Sequence, residues 1–152
     1  VAAQIAMIDQ PVADEIDIAN NSGKRSRAVP PQARGGSWGA FVFGGIWALC
    51  NGVWFGALSF LAVLTPLLAP RITPLVALIT LFGVGVWLYL AARGRSLAWA
   101  HKRWSSLEVF QATQRTWSKV AKVVFAVGLV LSVILAGLFW IMLKEGLSAM
   151  KG

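Results

Sequence analysis

Residues Arg93–Lys122 read RGRSLAWAHKRWSSLEVFQATQRTWSKVAK, and uncharged runs flank them on both sides. They hold seven basic residues, one acid (Glu108) and three tryptophans, Trp99, Trp104 and Trp117. Basic charge interleaved with tryptophan is the composition of a segment at the cytoplasmic edge of a bilayer. The flanking runs, Ile72–Ala92 and Val123–Leu143, each hold 21 residues without a charge. A helix needs about 20 apolar residues to cross the hydrocarbon, so each run fits one span.

The whole chain agrees with that start. Only 13% of its 152 residues are charged, against roughly a quarter in a soluble domain. A net charge of +8 would suggest nucleic acid as a partner in a soluble protein. Here the basic residues flank apolar spans, and attraction to anionic headgroups explains them at roughly 1 kcal/mol per well-placed Lys or Arg. A single cysteine, Cys50, excludes an intrachain disulfide and a cysteine-only metal cluster.

Residues 1–36 are polar, acidic at first and basic later, with Pro11, Pro30 and Pro31 and the run Asn20-Asn21-Ser22-Gly23. That composition predicts a cytoplasmic tail with little core of its own. Residues 37–152 form the membrane domain. Within it, Gly35–Pro70 is an uncharged run of 36 residues, too long for one span and short for two. The economical solution is an interfacial or re-entrant segment at 38–50, rich in Gly and aromatics and closed by Asn51-Gly52, then a first span at about 53–69. Pro66, Pro70 and Pro74 bracket a turn, and a second span follows at 74–92, with Gly94 able to break or bend it. Leu97, His101 and Trp104 at helical spacing predict a short amphipathic helix in the interface plane. Ser105-Ser106-Leu107-Glu108 has the S-x-x-E form of a capping box, with Ser105 as N-cap. From there Leu107, Phe110, Gln114, Trp117, Ala121 and Val124 recur every three or four residues. They predict one helix from about Ser106 to Leu143, ended by Lys144-Glu145-Gly146, whose part at 120–143 is the third span. The fold class expected is therefore an all-α integral membrane protein with three transmembrane helices, an interfacial or re-entrant N-terminal segment and a short amphipathic cytoplasmic helix.

Charge sets the orientation. With the N-terminus inside, eleven Lys and Arg residues lie inside, seven of them in the 93–122 segment, and three (Arg71, Lys144 and Lys151) lie outside. The positive-inside tendency then puts the N-terminus in the cytoplasm and the C-terminus in the periplasm.

The spans offer little chemistry. Catalysis or ion conduction at membrane depth needs ionisable groups facing a cavity, and the spans carry only Asn51, Ser59, Thr65, Thr80, Tyr89 and Ser132 as polar side chains. His101 is the one histidine, with no second histidine or cysteine pair to complete a metal site. Cys50 has no base nearby in sequence and reads as a small buried apolar residue. Glu108 reads as a capping side chain. No catalytic residue, cofactor or metal ligand is expected. Small residues give the strongest remaining signal: Gly52 and Gly56 form G-x-x-x-G, and Gly128, Ser132 and Ala136 make a small face on the third span. Such faces allow close helix packing in lipid, either within the chain or against another membrane protein. Trp38, Trp99, Trp104 and Trp117 with Arg93, Arg95, Lys102 and Arg103 are the expected interface anchors.

Two stretches resemble a family of small bacterial inner-membrane proteins of unknown function. Trp38-Gly39-Ala40-Phe41-Val42-Phe43-Gly44-Gly45-Ile46-Trp47 is similar to its W-x-A-F-x-F-G-x-x-W opening motif. Leu97–Trp104, with Ser106-Leu107-Glu108 and Gln114-Arg115-Thr116-Trp117, is similar to its basic, Trp-rich loop before the last span. The resemblance covers about Ser37–Leu143. It implies a bacterial inner-membrane location, and it implies no activity. Together these features lead to the expectation of a non-enzymatic accessory or interaction subunit of a larger membrane complex, in contact with anionic lipids and other integral membrane subunits and not with nucleic acid. The alternatives are a homo-oligomeric pore or small-solute transporter, and a membrane immunity or stress protein.

Overall fold

The computed structural model describes residues 20–25, 28–69, 71 and 73–149. It is all-helical, with no strand among the described residues. The helices are α1 (Trp38–Phe43), α2 (Gly45–Cys50), α3 (Leu61–Leu68), α4 (Pro74–His101) and α5 (Leu107–Ala149), with 3-10 turns at Pro31–Ala33 and Trp54–Phe60. Two helices, α4 and α5, are long and apolar enough to cross a membrane. The 3-10 turn Trp54–Phe60 runs on into α3, giving a shorter apolar helix, Trp54–Leu68.

The 38–50 segment is a pair of six-residue helices packed into the protein. The buried Ser37 caps α1, its hydroxyl accepting from the Ala40 N–H at 3.2 Å. Gly44, at φ 49°, turns the chain directly into α2. That helix ends in a Schellman motif. The Gly52 N–H donates to Leu49 O at 3.1 Å and the Val53 N–H to Ala48 O at 2.8 Å. Val53 and Ala48 are both fully buried and supply the apolar contact that accompanies the motif. Gly52, with φ 75°, is the residue that the turn requires.

α4 begins with Thr73 as N-cap and Pro74 in its first turn and runs for 28 residues, roughly 42 Å. It passes through Gly94 unbroken, so Ser96–His101 of the short amphipathic helix expected around Leu97, His101 and Trp104 are instead the last turns of α4, while Lys102–Trp104 lie beyond its end. The reason is packing. A Cβ on Gly94 would lie 2.8 Å from Ser37 Cβ and 3.0 Å from Trp47 Cη2, so the missing side chain admits α1 and the Trp47 indole against α4. Gly36 does the same for the backbone. The Ser37 N–H donates to Ala91 O at 2.9 Å and the Arg95 N–H to Gly35 O at 3.3 Å, an approach that a side chain at Gly36 would block. Gly83 lets α3 lie equally close on α4, at Leu61 and Ala62.

The structure moves the start of α5 by one residue. Ser106 is the N-cap, its hydroxyl accepting from the Val109 N–H at 3.2 Å. Glu108 therefore sits at the second helical position, where its charge favours the helix N-terminus but cannot complete a capping box. The helix runs 43 residues to Ala149, roughly 65 Å, and Gly146 does not end it.

The core lies around the ends of α4 and α5 that carry the basic charge. Trp47, Leu90, Ala98, Trp99, Trp104 and Phe110 are buried in one cluster with Ala33, Ala40, Ala48 and Val53. Part of the expected tail joins it. The Gly23 N–H donates to Trp99 O and the Arg25 N–H to Ala100 O, both at 3.0 Å. The Trp104 indole N–H donates to Ala98 O at 3.0 Å. Those carbonyls belong to the last turn of α4: Trp99 O and Ala100 O lie where a helix runs out of its own donors, while Ala98 O also accepts from the capping Lys102 N–H at 3.2 Å. Of the expected tail, residues 1–19, 26 and 27 lie outside the described residues, while 20–25 and 28–36 pack on the helices.

Gly94→Ala is expected to destabilise the fold by about 1–3 kcal/mol through overpacking. Gly85→Ala, with nothing within 4 Å of its Cβ position, should be neutral or stabilising by up to about 1 kcal/mol. Thermal unfolding of the two variants in neutral detergent checks this; equal midpoints would contradict the packing account.

Candidate functional site

The expected anchors divide into two groups. Trp99 is 1% exposed. Its ring meets Phe110 edge-on at 5.3 Å, and its N–H donates to Asn21 Oδ1 at 2.8 Å. Trp104 is buried too, its ring meeting Phe110 edge-on at 5.2 Å. Neither indole is therefore an interface anchor, because both face the protein core. Trp117 is half-buried with its edge on Phe43. Trp38 is 45% exposed, with Lys122 Nζ 5.8 Å from its ring centroid and Phe125 beside it. Arg93 and Arg103 are exposed. Lys102 is also exposed, its Nζ donating to Cys50 O at 3.1 Å. Cys50, expected to be buried, is exposed at the end of α2. His101 lies against its own helix, its Nδ1 3.0 Å from Leu97 O. No group of three His, Cys, Asp or Glu that could hold a metal is formed among the described residues.

The small residues divide in the same way. Gly52 is the turn glycine described above. Gly56 is buried against Ala48 and Leu90, so that G-x-x-x-G pair serves packing within the chain. Gly128, Ser132 and Ala136 lie on the free part of α5. Nothing comes within 4 Å of a Cβ built on Gly128, and the Ser132 hydroxyl donates to Gly128 O at 2.7 Å.

The stripe read from the sequence is the inner face of α5. Phe110 and Ala121 are fully buried, Leu107 and Trp117 pack against the core, and Val124 is exposed. Gln114, 3% exposed, is the polar member of the stripe. Its Nε2 donates to Asn51 Oδ1 at 2.9 Å, and Asn51 Nδ2 donates to Trp47 O at 2.8 Å. Gln114 Oε1 and Trp47 Nε1 are buried without a hydrogen-bond partner among the described residues. Unpaired buried groups are uncommon enough to need a reason.

Next to that stripe is a cavity of about 480 Å³, within the usual size of a small-molecule site, about 300–1,000 Å³. Arg95 enters from α4, and Arg115, Lys119 and Lys122 from α5. Gln111, Gln114 and Ser118 complete the α5 wall, with Gln32 and Trp38 opposite. Among the described residues no carboxylate lines it. Arg95 is fixed by Nη2, which donates to Gln32 O at 2.6 Å, while its Nε is buried without a partner. The sequence expectation named only Arg95 and Trp38 of this set. The spacing of Gln111, Arg115, Ser118, Lys119 and Lys122, three or four residues apart around Gln114, was the available signal, since it puts them on one side of a helix.

No family profile, curated protein or solved structure matches the chain.

Asn51→Ala is expected to cost about 1–3 kcal/mol, because it strands the buried Gln114 amide. The double variant N51A/Q114L should lose less than the sum of the single variants, with a coupling of about 0.5–3 kcal/mol. Unfolding midpoints of the four proteins measure this, and additive losses would show that the two amides do not act as a pair.

Proposed function

We propose that this protein is a non-enzymatic integral membrane protein, an accessory or interaction subunit of a larger complex in a bacterial inner membrane. One observation carries the reading. Every residue of α5 from Lys122 to Ser148 is exposed, and nearly all of those before Lys144 are apolar. A helix that is apolar all round belongs in lipid or against other apolar helices. Beyond the Phe125 ring, which meets Trp38 and Phe41, the helix offers its whole circumference, with the small face Gly128, Ser132 and Ala136 as the place where another helix can come closest.

Three spans fit the proposal: α4 and α5, each long enough, and Trp54–Leu68. The last has 15 residues, but its first half is a 3-10 helix, so it reaches roughly 26 Å, close to the hydrocarbon thickness of about 30 Å. The charge distribution orients the spans with the N-terminus in the cytoplasm and the C-terminus in the periplasm. The sequence resemblance to small bacterial inner-membrane proteins points to the same membrane. A homo-oligomeric pore, the alternative, gains nothing from the polar side chains it would need. Asn51 is buried, and the hydroxyls of Thr80 and Ser132 are spent on carbonyls of their own helices.

Purification in mild detergent should yield a particle heavier than the monomer that contains a second membrane protein. Replacing Gly128, Ser132 and Ala136 together by leucine should release that partner while the chain stays in the membrane fraction. A wild-type monomer that brings nothing with it would refute the reading. For topology, a periplasm-active reporter fused after Gly152 should be active, whereas activity only from a cytoplasmic reporter would reverse the orientation.

A further inference from the structure

We propose that the cavity between α5, the end of α4 and the Gln32–Trp38 segment binds a phosphate ester that carries hydroxyl groups, as presented by the headgroup of an acidic polyol phospholipid or by a soluble polyol phosphate. This goes beyond the subunit reading, which assigns the cavity no ligand.

Charge gives the first argument. Arg95, Arg115, Lys119 and Lys122 line one cavity, with no carboxylate lining it among the described residues. Four like charges around one space repel one another, and an anion between them turns that repulsion into attraction. Arginine and lysine together suit phosphate, the first by its planar fork and the second as a mobile point charge.

Unspent hydrogen-bonding capacity narrows the ligand. The Arg95 guanidinium is anchored through Nη2 to Gln32 O at 2.6 Å, yet its buried Nε–H has no acceptor. A phosphate oxygen supplies one. Gln114 lines the same cavity at 3% exposure. Its Nε2 is committed to Asn51, and its Oε1 is left without a donor. The ionised phosphate of an ester has no proton to give that oxygen, and a hydroxyl beside it does. Inorganic phosphate keeps a P–OH that can donate as well, but it fills little of a cavity of about 480 Å³, and this favours a polyol ester over the inorganic ion. A nucleotide fits less well, because its base needs an open aromatic face to stack on and Trp38, the only aromatic lining the cavity, already carries Lys122 over its ring.

Position brings both sources within reach. Lys122 is the last charge on α5 before Val123–Leu143, and Trp38 beside it packs on Phe125. The cavity therefore borders the apolar part of the helix, where an acyl chain could lie, and also opens to water.

The test uses the full chain in neutral detergent with four probes: phosphatidylglycerol, phosphatidylcholine, glycerol phosphate and inorganic phosphate. Native mass spectrometry reads retained lipid, and calorimetry reads the soluble anions. The expected result is that phosphatidylglycerol is retained over phosphatidylcholine, or glycerol phosphate binds more tightly than inorganic phosphate, or both. Lipid binding alone assigns the headgroup as source, and glycerol phosphate binding alone assigns the soluble ester. R115Q/K119Q should weaken the binding roughly tenfold or more, while R71Q/K144Q, with the same loss of charge away from the cavity, should leave it unchanged. Gln114→Met should reduce the advantage of glycerol phosphate over inorganic phosphate, with unfolding midpoints used to confirm that the variants are folded. The proposal is overturned if no probe binds, if inorganic phosphate binds as tightly as glycerol phosphate while phosphatidylglycerol shows no preference, or if both double variants behave alike. A chain that purifies alone but binds these probes refutes the subunit reading and keeps the site. A chain that holds a partner but binds none of them refutes the site alone.

Discussion

The burial of the Trp47 indole is the contact on which the rest of this structure depends. The ring, fully buried, occupies space that glycine leaves on two other helices. A Cβ on Gly39 of α1 would come within 2.6 Å of Trp47 Cδ1, and one on Gly94 of α4 within 3.0 Å of Cη2. The same Gly39 position lies 3.0 Å from Trp117 Cβ on α5. One large ring and two missing side chains thus bring α1, α2, α4 and α5 to a single place. Dispersion and apolar burial are strongest where atoms are densest, and here the density comes from pairing the largest side chain with the smallest.

That packing decides where the interior of the protein is. The most apolar segments, the body of α4 and the far part of α5, are largely exposed, while the core is built from the Trp-rich ends that carry the charge. The arrangement suits the membrane setting proposed above. Apolar side chains gain little by leaving lipid for protein, but the tryptophans and backbone carbonyls near Arg93–Lys122 gain from being covered. Asn21, Ser22 and Gly23 do part of that covering, with hydrogen bonds to Trp99, Trp104 and the end of α4. Of the basic side chains on the same segment, Arg93 and Arg103 are exposed, Arg95, Arg115, Lys119 and Lys122 line the cavity, and Lys102 lies over the Trp104 ring.

Sequence periodicity carried the elements themselves well. The uncharged runs at 72–92 and 123–143 located α4 and α5, and the stripe Leu107–Ala121 located the inner face of α5. Other features were illegible because they depend on partners distant in the chain. Gly94 carries a helix-breaking signal locally, and only the arrival of Trp47 and Ser37 turns it into a packing site. Trp99 and Trp104 have the composition of interface anchors, and only the folding back of Asn21 and Ser22 makes them core. Ser105 and Ser106 are both capable N-caps, and only the folded chain shows the second accepting from the Val109 N–H. In the cavity, the α5 cations were recoverable from spacing, whereas Gln32 and the fixed Arg95 guanidinium meet them through a contact between residues 63 positions apart.

The continuity of α5 has a mechanical consequence. Its 43 residues contain no proline, and a helix without a break behaves as a stiff lever. The cavity wall forms its short arm and the exposed segment its long one. A tilt of about 5° at Lys122 would carry the far end sideways by roughly 3 Å, given about 39 Å of helix beyond that point. That is about half the pitch of the helix itself. The seating of one helical turn on α1 therefore fixes the aim of everything beyond it, and Gly39, which sets how closely Trp117 can approach, also sets where the distant Gly128–Ala136 face points.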